Sequence, residues 1–266
     1  MPFFKYTLLS LLVSIPYFTN AKTITFGIVP QQSAKKLAKS WVPVCNYLSQ
    51  QTGNKVVFAT APNIPEFEKR VQQGAYDLAY MNPYHYVVYS EKSGYRAIVK
   101  AKDKKIKGII VTKKGSPYKT LADLNNQTLA FPSPAAFAAS ILTRGAFAEK
   151  NIPITPKYVS SHDSVYLNIS KGIYPAGGGV KRTFNGTAPS VRDDLKILWE
   201  TKGFTPHAVA VNSKMDKATK EKLQKAFTAL HQSSSRDILA PLKLRGFVNA
   251  DHKDWDDVRA LKLDLL

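Results

Sequence analysis

The chain has 266 residues, 44% of them apolar, enough to build packed cores and to exclude an intrinsically disordered chain. Its single cysteine, Cys45, excludes an intrachain disulfide, so stability must come from packing. The net charge of +19 raises a nucleic-acid partner, yet the lysines are scattered and lack the interleaved aromatics and arginines of phosphate-tracking surfaces, so we expect no nucleic acid; a basic surface still speeds encounters with small anions.

The chain opens with one early cation, Lys5, an apolar run too short to span a bilayer, Pro16, and small residues ending at Ala21. This pattern predicts a signal peptide over residues 1–21, cleaved after Ala21. The mature chain is expected in the periplasm or at another extracytoplasmic face. Residues 23–29 alternate and are β-branched, a first strand ended by Pro30. Ala34, Leu37, Ala38, Trp41, Cys45 and Leu48 then recur at helical spacing, with Pro43 predicting a kink or a start near Trp41. Cys45 falls on that apolar stripe, where a buried, inert thiol is expected. A second strand (55–60), a helix opened by Asn63 and a third strand (76–81) follow, the last running into Asn82-Pro83 and a short helix. Residues 96–101 and 108–112 read as two more strands. The lysine-rich stretch between them, Lys102 to Lys107, reads as a solvated hairpin tip.

The pattern then begins again. Residues 127–131 predict a strand; Ser133 and Pro134 predict an N-cap and first helical residue for a helix running to Lys150. Another helix opens at Ser161-His162-Asp163, with strand candidates at 176–180 and 196–200. A short strand at 207–211 and a helix capped by Asp216 follow. This tail has no strand-helix repeat of its own and is expected to return to the first lobe. The class is therefore α/β with largely parallel sheets in two lobes: 22–110 plus 203–266, and 111–202. The chain crosses twice, forming a hinged clamp with its ligand in the cleft at the strand ends.

Four motifs, Thr25-Phe-Gly-Ile-Val-Pro30, Tyr76-Asp-Leu-Ala-Tyr-Met-Asn-Pro-Tyr84, Thr120-Leu-Ala-Asp-Leu124 and Ser161-His-Asp-Ser164, carry a resemblance. In their order and spacing the chain resembles the phosphate, phosphite and phosphonate-binding proteins that feed ABC transporters. The resemblance implies the type II periplasmic-binding fold, with the ligand's anionic head at the start of the helix after the Phe131 strand. Helix-start amides favour negative charge there on general grounds as well. The family's Ser/Thr-rich run is replaced here by Ser133-Pro-Ala-Ala-Phe137. Ser133 keeps one hydroxyl, and the amides of Ala135, Ala136 and Phe137 remain, which leaves phosphonate, another oxyanion or an organic acid open.

Asn82 and Tyr84 stand at the end of the third strand, where sheet clefts form, and are expected to touch ligand. His85 and Tyr86 follow, and packing under the sheet is the plainer role for Tyr86. The resemblance makes Asp163, beside His162, a partner for a ligand amine, although a first-turn acid also needs no function. The run Gly177-Gly178-Gly179 implies close backbone approach, to ligand or to a neighbouring element. The resemblance places an acid near here and this chain has none; Arg182, with Lys181 and Thr183, would instead select a negative group. Gln31, with Gln32, and His207 should face the cleft in this fold.

The five histidines lack metal-ligand spacing, so no metal and no cofactor is expected. No nucleophile elbow, P-loop, dinucleotide fingerprint, zinc-protease motif or reactive cysteine with its histidine is present, and we expect a binder rather than an enzyme. The expected partners are a small, anionic molecule and an ABC permease. A membrane histidine kinase that reads the same clamp is the alternative, and a monomer is the expected state.

Overall fold

A computed structural model describes residues 21–231 and 236–266; the expected signal peptide therefore lies outside the described residues except for Ala21. Eleven strands form two mixed sheets. The first contains β1 (Thr23–Ile28), β2 (Lys55–Ala59), β3 (Leu78–Met81), β4 (Arg96–Ala101), β10 (Ala208–Val211) and β11 (Phe247–Asn249), in the order β11-β4-β10-β3-β1-β2. The second contains β5 (Gly108–Lys113), β6 (Thr128–Phe131), β7 (Thr155–Tyr158), β8 (Ala176–Val180) and β9 (Leu195–Glu200), in the order β7-β6-β8-β5-β9. In both lobes the strand that has just crossed over runs antiparallel to its neighbours: β10 lies between β3 and β4, and β5 between β8 and β9, while the edge strand β11 is also antiparallel to β4. The sheets are thus less parallel than the strand-helix alternation predicts.

The Lys102–Lys107 stretch is not a hairpin tip. β4 and β5 belong to different sheets, so this stretch is the first crossing; all of β5, from Gly108, lies in the second sheet, which puts the division before Gly108 rather than after residue 110. The return crossing joins β9 to β10. The two crossings are stitched together, with Ile106 and Phe204 exchanging backbone hydrogen bonds of 2.8 and 2.9 Å. Thr201 adds a third tie, its hydroxyl accepting from the Gly108 amide at 3.0 Å.

Each sheet is covered by helices: α1 (Ala34–Thr52), α2 (Ile64–Gln72) and α3 (Pro83–Lys92) in the first lobe, α4 (Thr143–Glu149), α5 (His162–Ser170), α6 (Lys181–Asn185) and α7 (Pro189–Arg192) in the second. The chain ends with α8 (Lys217–Ala229), α9 (Arg236–Leu239) and α10 (Asp256–Arg259), which return to the first lobe. Helix α1 starts at Ala34 rather than near Trp41, because Ser33 accepts from the Lys36 amide and Leu37, Trp41, Val44, Cys45 and Leu48 form a buried stripe. Pro43 sits inside it, and that stripe outweighs the one backbone bond the proline removes. Phe26 packs edge-on against both Trp41 and Phe227, joining α1, β1 and α8 in one core. Cys45 is part of it; burial pushes its thiol up to about 12, so it is inert.

Candidate functional site

The second lobe offers the first lobe a helix start of unusual form. Residues Phe137–Leu142 make a π-helical turn that runs directly into α4, with the Ala136 carbonyl accepting from both Ser140 (2.7 Å) and Ile141 (3.3 Å). Such turns are rare and concentrate at functional sites. The expected cap is absent: Ser133 lies in the preceding turn, and its buried hydroxyl meets no partner. Among the described residues, no protein acceptor meets the amides of Phe137, Ala138 and Ala139, so the helix start presents three unused donors.

Two glycines let this turn sit so close to its sheet. A Cβ at Gly178 would lie 1.9 Å from the Ala139 carbonyl, and one at Gly108 would lie 2.1 Å from that of Ala138. Of the two readings of the triple glycine, the structure supports close approach to a neighbouring element. Gly178 stands behind the helix start, against the Ala139 carbonyl and the Phe131 ring.

The first lobe closes over the turn through residues at the ends of β1 and β3. The His162 amide donates to the Gln31 carbonyl at 3.0 Å, Arg182 Nη2 to Gln31 Oε1 at 2.7 Å, and Asn82 Nδ2 to the Ala135 carbonyl at 3.2 Å. Asn82 Oδ1 also accepts from the His85 amide, capping α3. Together Gln31, Asn82, Ala136 to Ala139 and His162 enclose a pocket of about 10 Å³, with room for one water-sized group. His162 is 1% exposed, its Nδ1 is 3.1 Å from Thr183 Oγ1, and burial, with Arg182 nearby, pulls its pKa down to about 3. The imidazole is therefore neutral and contributes hydrogen bonding rather than charge.

A larger cavity of about 280 Å³ adjoins this pocket and shares Ile106 and Val180 with it. Tyr80 and His207 form one wall, stacked with ring centroids 4.8 Å apart. Arg182 and Lys181 stand on the second lobe, Lys104, Lys105 and Lys107 on the first crossing, and Lys243 reaches across from the first lobe to donate to the Asn185 carbonyl at 2.5 Å. Among the described residues, no Asp or Glu lines either space. Burial, then Arg182, holds the His207 pKa well below the usual histidine range.

The sequence-selected residues therefore divide. Gln31, Asn82, Ala136 and His162 meet at the inner pocket, and Arg182 and His207 at the outer one. Ala135 contributes a carbonyl that ties the lobes, and Asp163 sits on the rim, where Oδ2 accepts from the Ser33 amide and Oδ1 pairs with Lys36 at 3.5 Å. That carboxylate is a clasp between the lobes. Tyr84 is in neither space; its buried hydroxyl accepts from the Leu265 amide at 2.7 Å, packing the chain end onto α3. Tyr86 likewise bonds His252 at 2.9 Å. Among the described residues no group of His, Cys, Asp and Glu is placed to hold a metal, and no helix is long and apolar enough to cross a membrane.

The fold and cleft have counterparts. A binding protein component of a phosphonate ABC transporter from Pseudomonas aeruginosa superposes with a TM-score of 0.84 at 18% identity, covering 91% of this chain and 86% of that one. PhnD1 of Prochlorococcus marinus, in complex with methylphosphonate, gives 0.83 at 17% identity, covering 91% and 97%. In sequence, the phosphate-import protein PhnD of Mycolicibacterium smegmatis is 23% identical over 235 residues, 77% of this chain and 71% of that protein. Residues 26–255 match the family model described as the ABC transporter, phosphonate, periplasmic substrate-binding protein. The chain belongs to that family.

As a phosphonate-family substrate-binding protein of the type II fold, the chain carries site features that sequence reasoning passed over. Tyr80 was read only as a strand residue, yet it walls the outer cavity. Lys104, Lys105 and Lys107 were assigned to solvent because the crossing was read as a turn. Asp103, a residue that turns favour and that does adopt a positive φ of 51°, reads the same in a crossing as in a hairpin.

Proposed function

We propose that the protein captures a phosphonate or phosphate-type oxyanion between its lobes and delivers it to an ABC permease. The observation that carries this reading is the meeting of three unused helix-start amides with Gln31, Asn82 and neutral His162 in a space without a carboxylate. Amides at a helix start and neutral hydrogen-bonding side chains suit an oxyanion whose charge the macrodipole already favours. The loss of Ser/Thr hydroxyls from the loop leaves recognition to the backbone, which any residue sequence supplies. The binding of methylphosphonate by the Prochlorococcus relative and the phosphate-import role named for the Mycolicibacterium relative support the same ligand chemistry. Closure has a ready path, because the lobes are joined only by two short crossings.

A thermal-shift screen of methylphosphonate, phosphate, sulfonates and carboxylates tests this reading. A ligand at 100 times its Kd stabilises the fold by about 2.7 kcal/mol, and the phosphorus oxyanions should give the largest shift. A panel in which only carboxylates or sulfonates raise the melting temperature contradicts it.

A further inference from the structure

We propose that the outer cavity is a second anionic subsite, so that the preferred ligand is an organic phosphonate or phosphate bearing a further acid group. This rests on the reading above, in which the inner pocket takes the phosphorus head. The two spaces are neighbours that share Ile106 and Val180 in their linings, and Tyr80, Pro206 and Leu244 supply apolar wall for a carbon linker.

Charge decides what the tail is. Lys107 and Lys181 share Glu200, each at 2.6 Å, and are neutralised by it in part. Arg182, Lys104, Lys105 and Lys243 also line the cavity, and among the described residues none of these four has a carboxylate within ion-pair distance. An ammonium tail would meet cations and no acid, a repulsion that acts as discrimination against amines. His207, stacked on Tyr80, completes this wall as a buried ring held neutral, so it adds no charge to the cavity.

Calorimetric titration of the wild-type protein with methylphosphonate, 2-aminoethylphosphonate and 3-phosphonopropionate tests the idea. One added charge-assisted hydrogen bond is worth about tenfold or more in affinity, so 3-phosphonopropionate should bind about tenfold more tightly than methylphosphonate, and the amine more weakly than either. The double variant Lys104→Gln, Lys243→Gln should collapse the preference for the diacid. Equal binding of all three, or preference for the amine, overturns the second subsite while leaving the function intact. Binding of none of them overturns the reading of the inner pocket itself.

Discussion

His162 shows how one residue serves both jaws. Its amide bonds the opposite lobe through Gln31, and its ring is buried and neutral beside Arg182. Because its folded-state pKa is lowered from 6.5 to about 3, the unfolded chain binds more protons between those values, and stability falls as pH drops through that window. His207 shifts in the same direction. Urea unfolding at pH 7.5 and pH 4.5 should show a loss for the wild type that is smaller in His162→Gln; an identical loss in both would assign the acid sensitivity elsewhere. That His162 and Arg182 belong to the cleft was legible from motif and position, since both follow strand ends. Tyr84 was not, because a tyrosine at a strand end reads the same whether it meets a ligand or, as here, the amide of Leu265 far along the chain.

At the scale of elements, β8 and the π turn form one unit. The turn can lie on the sheet only because Gly108 and Gly178 leave space for the carbonyls of Ala138 and Ala139. Gly178→Ala places a Cβ 1.9 Å from a backbone oxygen, and overpacking of this kind costs about 1–3 kcal/mol. Chemical denaturation should report a loss of that size, together with weakened oxyanion binding as the turn shifts; an unchanged midpoint would mean that the turn has slack. The glycine run announced a close approach in the sequence without naming its partner. The π turn itself was illegible: Ser133-Pro134 forms a sound N-cap signal, and the helix nevertheless starts at Phe137, after Ala136. The crossings were misread for a related reason, since a strand's sheet is decided by partners distant in sequence. β5 looks like a companion of β4 until β8 and β9 claim it.

For the whole molecule, the repeat of strand-helix units and the return of the tail made two lobes and a double crossing legible, because hydrophobic periodicity survives without contacts being known. The cleft's charge was not. The excess of lysine appears in composition, but only the fold turns Lys104, Lys105, Lys181 and Lys243 toward one cavity. The interlobe contacts are modest individually; the partly exposed Lys36 to Asp163 pair is worth about 0–1 kcal/mol. On the proposed function, a ligand that bonds both lobes would give closure its driving force, as differential affinity for the closed state requires. The central claim is thus that the oxyanion is held jointly, by Gln31 and Asn82 from one lobe and by His162 and the helix-start amides from the other. Calorimetric titration of methylphosphonate into the wild type, Gln31→Ala and His162→Ala, with melting temperatures recorded alongside, tests it most directly. The account predicts one site in the wild type and a loss of about tenfold or more in each variant. Full affinity retained by both folded variants would place the ligand outside the cleft and contradict it.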